Sequence, residues 1–226
     1  MEIIDKAIKR GQTNLSEYES KRLLADYGIP VTREALVGNS ESLMEAIKKI
    51  GFPVVLKGCS PDIAHKTEKG LIHVDIRNEN EALAAFKAII AGMNGTENSV
   101  LVQEMIRGKR ELVAGLIRDP QFGPCVMFGL GGIFTEVLND VCFRVAPLEE
   151  FDAQEMMQEI KGHKILGAVR GMEAVDLEML ADILITIGKI GMENEKIGEI
   201  DINPLIITGN KPVAVDALIV LGSSRA

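Results

Sequence analysis

The chain has 226 residues, which suits one large domain or two small ones. Hydrophobic residues make up 46% and charged residues 26%, a balance that supports a packed core. A formal net charge of −8 argues against nonspecific nucleic-acid binding, which depends on cations neutralising phosphates. No run of about 18 apolar residues offers a membrane span.

The N-terminal MEIIDKAIKRGQ mixes charge and apolar residues at helical spacing and lacks the apolar core of a signal peptide. Three widely spaced cysteines, Cys59, Cys125 and Cys142, fit reduced thiols rather than a disulfide frame or zinc site, so a cytoplasmic location is expected. Trp is absent and only two Tyr occur, leaving little material for base stacking.

In chain order, a helix is predicted over residues 3–10. A second starts at Ser16, with Glu19 in a capping-box position, and ends near Gly28, where Pro30 prevents continuation. Residues 31–37 read as a strand. Ser40 can cap a third helix whose Leu43, Met44, Ile47 and Ile50 share one face, and Gly51 stops it. Residues 52–57 form a buried strand, 58–70 a polar loop, 71–76 a strand, and a helix follows from Asn78 with Glu81 at the boxed position. Apolar runs cover 100–106 and 112–117, before a strongly marked turn over 119–124. The second half holds a glycine cluster at 129–132, helices over 152–160 and 176–190, and strands over 199–207 and 212–220 around Gly209-Asn210. This alternation predicts α+β (α/β) architecture, with a boundary near 103–108 dividing residues 1–105 from 106–226.

The last hairpin permits a count. Gly-Asn favours a tight two-residue turn, because both residues tolerate positive φ. Thr208 then faces Lys211, and counting outward sets Asn203 opposite Asp216. Asp201, two residues from Asn203, shares that face. Two carboxylates and an amide suit magnesium. The competing reading is an ordinary solvated strand face, although Asp216 interrupts an apolar run.

Lys57 ends an apolar strand, where it either meets a phosphate or snorkels to solvent. The loop from Gly58 to Gly70 carries His65, Lys66 and Lys69. Imidazole can be a nucleophile toward phosphorus, and the lysines can neutralise phosphate oxygens. His73 and His163 read as surface residues. Glu104 lies where a strand leaves between the halves: its carboxylate and the neighbouring backbone can read adenine's edge, or it is an ordinary strand end with a surface ion pair. Glu111 can bond ribose hydroxyls or hold Lys57, or join a surface ion pair. The 129–132 cluster permits close backbone approach to a ligand, and Arg144 is an isolated cation in an apolar strand with a planar fork suited to phosphate.

GFPVVLKG, SPDIAHKTEKG, MFGLGGIFTEVLNDVCFR and EIDINPL together resemble the ATP-grasp family, specifically the β subunits of ADP-forming acetyl-CoA synthetases. The likeness runs nearly the whole length. It implies two subdomains clamping ATP, with Lys57 binding phosphate, Glu104 and Ile106 at the adenine hinge, and Glu111 beside the ribose. It also implies Asn203 and Asp216 as magnesium ligands, joined by Asp201, and a transiently phosphorylated His65. Gly58, Lys66 and Gly70 fall in the nucleotide site, and Arg144 and Glu136 occupy matching positions, Arg144 with a catalytic part. The implied activity is an acid–thiol ligase, acyl-CoA + ADP + phosphate ⇌ carboxylate + ATP + CoA, requiring a CoA-binding α subunit in a hetero-oligomer such as α2β2. The implied cofactors are ATP/ADP and Mg2+. Alternatives are another ATP-grasp carboxylate ligase, which would not need His65, and a noncatalytic nucleotide sensor.

Overall fold

The computed structural model describes residues 2–60, 70–93, 99–132 and 140–222. It divides into two compact units. One comprises Met1–Leu15, Glu19–Val31 and Arg107–Ala226, and the other Ser16–Tyr18 and Thr32–Ile106.

The smaller unit contains β1 (Glu34–Val37), α3 (Ser40–Ile50), β2 (Val54–Cys59), β3 (Ile72–Ile76), α4 (Glu79–Gly92) and β4 (Ser99–Glu104). Among the described residues its sheet has four antiparallel strands in the order β1-β4-β2-β3. Strand residues alternate between faces. Val54, Leu56, Val100 and Val102 therefore meet Leu43 and Ile47 of α3 and Phe86 and Ile89 of α4 in one buried cluster. The third helix is capped one residue earlier than Ser40: Asn39 is extended and its side chain accepts from Ser42 N, while Asn39 N donates to Ser42 Oγ. Asn78 caps α4 as expected, accepting from Glu81 N.

The larger unit contains α1 (Glu2–Lys9), α2 (Glu17–Asp26, of which Glu17 and Tyr18 count with the smaller unit), β5 (Arg110–Asp119), β6 (Gly123–Leu130) and β7 (Val141–Val145). It continues with α5 (Glu150–Glu159), a 3-10 turn (His163–Leu166), α6 (Leu177–Glu193), β8 (Ile197–Thr208), β9 (Lys211–Ala214) and β10 (Ala217–Leu221). Its described strands form a six-stranded sheet in the order β10-β8-β5-β6-β7, with β9 also on β8. Leu112, Ala114 and Leu116 of β5, Val126 and Phe128 of β6, and Ile200 and Ile202 of β8 face a core filled by Leu180, Ile183, Leu184 and Ile187 of α6.

A simple division at 105/106 does not describe the N-terminal part of the chain. Residues 1–15 and 19–31 belong with the C-terminal unit. Ile4, Ala7, Leu15, Leu23, Leu24 and Ile29 find their apolar partners in that unit's core. Its backbone also pairs there: Leu15 N donates to Ile219 O, Leu221 N to Thr13 O, and Ala214 N to Pro30 O.

The strand expected over 212–220 is broken at Val215 and Asp216. Opposite Val215 stands Pro204, whose O accepts from Val215 N at 3.1 Å. Proline has no N–H to return. The Val215 carbonyl instead accepts from Nζ of Lys21, a fully buried lysine, at 3.2 Å. Lys21→Met keeps the side chain's bulk and removes this donor. It is expected to lower the unfolding free energy by about 1–3 kcal/mol in a denaturant titration, the usual effect of removing a buried polar group's partner.

Candidate functional site

The acidic hairpin forms with the counted register. Thr208 pairs with Lys211, Ile207 with Pro212, Ile206 with Val213 and Leu205 with Ala214. After the break, Ala217 pairs with Ile202 and Leu218 with Asp201. Asn203 N donates to Asp216 O at 3.3 Å, so the two candidate ligands stand opposite each other. Ile200 and Ile202 turn into the core, which sends Asp201 and Asn203 to the other face with Glu199. Gly115 lies across from Asp201, and a Cβ there would meet Ile200 O at 2.3 Å. Glycine is thus needed for the strands to approach beside the carboxylate.

Burial, reinforced by the negative charges of Glu199 and Asp216, pushes the Asp201 carboxyl up to about 6. Crowded carboxylates of this kind fit a divalent cation, which would remove the repulsion. Among the described residues no cluster of three or more His, Cys, Asp or Glu is arranged to hold a metal. The donor set is two carboxylates and an amide, as suits magnesium, which commonly completes its shell with water and phosphate oxygens.

Lys57 lies in the smaller unit near the end of β2. Its side chain points away from the helix-covered core, since neighbouring Leu56 belongs to that core. It is buried, and Nζ donates to Glu17 Oε1 at 2.6 Å. Gly58 follows it on the strand. A Cβ there would meet Met93 Sδ at 3.3 Å and Ile89 Cγ2 at 3.4 Å, so its missing side chain makes room for α4. Gly70 has φ 66° and is exposed with nothing near its Cβ direction, a turn position. His65, Lys66 and Lys69 lie outside the described residues, as does Glu136.

Glu104 ends β4. Its carboxylate accepts from Arg33 N and Arg33 Nε, both at 2.7 Å, and Glu104 N donates to Arg33 O. Each side-chain oxygen thus holds one hydrogen bond from Arg33, the ion pair of the competing reading. Met105 N donates to Pro53 O, and Ile106 is half-buried. Glu111 is exposed on β5, and Gly131 N donates to its carbonyl at 2.8 Å. A Cβ on Gly132 would meet Glu111 Oε2 at 2.7 Å, so the glycine cluster brings backbone against this carboxylate.

Arg144 is not brought to the acidic hairpin. It pairs with Val126, Val126 with Leu116, and Leu116 with Ile200, a row on the core face of the sheet. Its Nη2 meets Glu159 at 3.1 Å and Glu155 at 3.6 Å, both on α5. Asp201 leaves on the opposite face, so the catalytic part expected of Arg144 has no geometric support here. Cys142, two residues earlier, faces the same way. Its Sγ donates to Met156 O at 3.3 Å, and burial pushes the thiol up to about 11. Cys59, Cys125 and Cys142 are all free and buried.

Two residues that the sequence did not single out enter the site's surroundings. They are Glu17, which holds Lys57, and Lys21, which bonds the residue before Asp216. Their spacing of one helical turn was visible, but their burial was not. A separate open cleft of about 1210 Å³, lined in part by Asp5, Arg118, Glu193 and Lys196, includes none of the candidate site residues.

Two α+β units built on antiparallel sheets, one with a lysine near a strand end and the other with an acidic hairpin, define a class of nucleotide-handling proteins. The ATP-grasp domain model matches residues 6–221, and the chain belongs to the ATP-grasp family. It is 44% identical over 225 residues to subunit beta of acetate–CoA ligase (ADP-forming) I from Pyrococcus furiosus, covering 97% of each chain. It is 37% identical over 226 residues to acetate–CoA ligase (ADP-forming) I from Archaeoglobus fulgidus, covering 98% of this chain and 33% of that one. The fold matches the solved dinucleotide-forming acetyl-coenzyme A synthetase 1 of Candidatus Korarchaeum cryptofilum with a TM-score of 0.87 and 46% identity, covering 98% of this chain and 99% of that one. That structure contains coenzyme A and Mg-AMPPCP, and its phosphohistidine segment points towards the nucleotide binding site.

The Asp201 environment has a measurable sign. Its carboxyl titrates higher in the fold than in the unfolded chain, so ionising it costs stability as pH rises from about 4 through about 6. Asp201→Asn is expected to be the more stable protein above pH 6 by about 1–3 kcal/mol in the absence of divalent cations. The difference should shrink toward zero near pH 4 in chemical denaturation.

Proposed function

We propose that this chain is the nucleotide-binding β subunit of an ADP-forming acyl-CoA synthetase, an acid–thiol ligase catalysing acyl-CoA + ADP + phosphate ⇌ carboxylate + ATP + CoA. The observation that carries this reading is end-to-end likeness, 44% identity over 97% of both chains, to a β subunit of that activity. The Archaeoglobus relative is about three times as long, which fits a CoA-binding α part joined to the same kind of β part. By likeness to the Pyrococcus β subunit, we propose a CoA-binding α subunit as the partner, in an α2β2 assembly. No helix among the described residues is long and apolar enough to cross a membrane, and a cytoplasmic setting suits the three free thiols.

The proposed step on this chain is phosphoryl transfer between His65 and ADP. The N–P bond of a phosphohistidine protonated on its second ring nitrogen breaks as a β-phosphate oxygen of ADP bonds to phosphorus, and that proton stays on the ring, leaving neutral imidazole and ATP. Such transfer needs positioning and charge neutralisation above all. Lys57 supplies a cation near the end of its strand. Asn203, Asp216 and Asp201 would hold magnesium, which offsets charge on the nucleotide phosphates when bound. Glu111 receives the ribose. The backbone from Glu104 to Ile106 reads adenine, with Arg33 keeping the Glu104 side chain in place. Lys66 and Gly70 serve the phosphate end. Arg144 is ion-paired with Glu155 and Glu159 of α5.

Two measurements test this reading. Reconstituted with its α partner, the chain should make ATP from acyl-CoA, ADP and phosphate. Lys57→Met and Asp216→Asn should each lower kcat/KM by about 10²–10³-fold, the range seen for removing a transition-state charge stabiliser. Incubation of the complex with γ-labelled ATP should place an acid-labile, base-stable label on His65. Turnover without that label would remove the phosphohistidine step and favour direct acyl-phosphate chemistry.

A further inference from the structure

Lys57 does not stand at its strand end with an unmatched charge. The sheet residues directly beside it are Leu101 on β4 and Ile72 on β3, neither of them charged. One carboxylate that holds it is Glu17, the first residue of α2, at 2.6 Å. Side-chain exposure is 6% for Lys57 and 1% for Glu17, so this is a buried ion pair rather than a surface one. Residues 16–18 belong to the same unit as β2, although the chain on either side of them belongs to the other. A three-residue excursion thus delivers a carboxylate to the lysine.

Buried ion pairs contribute little net stability, because desolvating two ions offsets their attraction. Removing one partner is a different matter. It leaves a charge in an apolar setting, and a lysine in that position loses its proton at a lower pH. We propose that Glu17 is a positioning residue for nucleotide binding. It keeps the buried Lys57 protonated, with its ammonium fixed near the end of β2 where a nucleoside diphosphate's phosphate would meet it. This rests on the reading that Lys57 binds phosphate. Among the described residues, the other ionisable groups on this face of the sheet are Cys59 on β2 and Glu34 on β1, and Gln103 is neutral. Tyr18 adjoins Glu17 on the delivering segment.

The test is ADP affinity of the full chain, measured calorimetrically with magnesium at about pH 7 and about pH 9.5, where wild-type lysine remains charged. Wild type should change little across this range. Glu17→Gln should lose about tenfold or more in affinity between the two pH values, as neutral Lys57 accumulates. Glu17→Asp, which restores a carboxylate, should recover most of the wild-type pH profile even if its affinity is lower throughout. A loss of equal size at both pH values, or no loss, in Glu17→Gln would show a purely structural residue and overturn the proposal. Lys57→Met is the separate control. If it binds ADP as tightly as wild type, the phosphate role of Lys57 itself fails, whatever Glu17 does. If Glu17→Gln does not fold, the Glu17→Asp profile decides: alkaline loss absent from wild type in a variant that keeps the carboxylate would count against the proposal.

Discussion

The acidic end of the larger unit depends on a hydrogen that is not there. Pro204 sits where the β8 ladder should donate to Val215, and it has no N–H to give. The Val215 carbonyl takes its hydrogen bond from a fully buried ammonium, that of Lys21, and the strand resumes at Ala217. Ser20 acts on the far side of the break, accepting from Ile219 N at 3.2 Å. Consecutive residues of α2 therefore fasten the chain before and after Asp216. This makes physical sense of why α2, remote in sequence, packs with the C-terminal unit. The helix supplies polar partners that the interrupted ladder cannot.

The two units carry opposite electrostatic arrangements. In the smaller one, a buried cation has a carboxylate at contact distance. In the larger one, carboxylates share a sheet face, and burial, reinforced by the neighbouring charges, makes Asp201 resist ionisation. The first arrangement sets opposite charges together, whereas the second sets like charges together. Chemistry on a polyphosphate calls for both, because the ligand brings negative charge and a metal together.

Much of this was legible in the amino-acid order. Helical periodicity marked α3 and α6, Asn78 and Glu81 announced the start of α4, and the Gly209-Asn210 turn fixed the hairpin register through to Asn203 and Asp216. The limits have particular causes. Glu17 and Lys21 have the spacing of an exposed i,i+4 ion pair, and only tertiary packing shows that each is buried and turned to a separate partner. Arg144 alternates correctly along its strand, but alternation gives parity, not the face, and the row through Val126, Leu116 and Ile200 decides it. Gly58 follows Lys57, and strand parity turns it toward α4. The ion pair of Glu104 with Arg33 depends on pairing across β1 and β4, which local pattern does not give. The assignment of residues 1–15 to the C-terminal unit is a long-range packing outcome that no local pattern encodes.

The buried thiols have a consequence of their own. Cys142 gives its hydrogen to a helix carbonyl and titrates at about 11, and the Cys125 thiol is raised as well. Oxidants, alkylating reagents and soft metals act on thiolates that they can reach. A thiol that is protonated and enclosed offers them little at neutral pH, which places Cys125 and Cys142 out of their reach. Those two thiols should accordingly respond little to swings in the redox poise of their surroundings, an advantage for an enzyme coupling thioester chemistry to ATP.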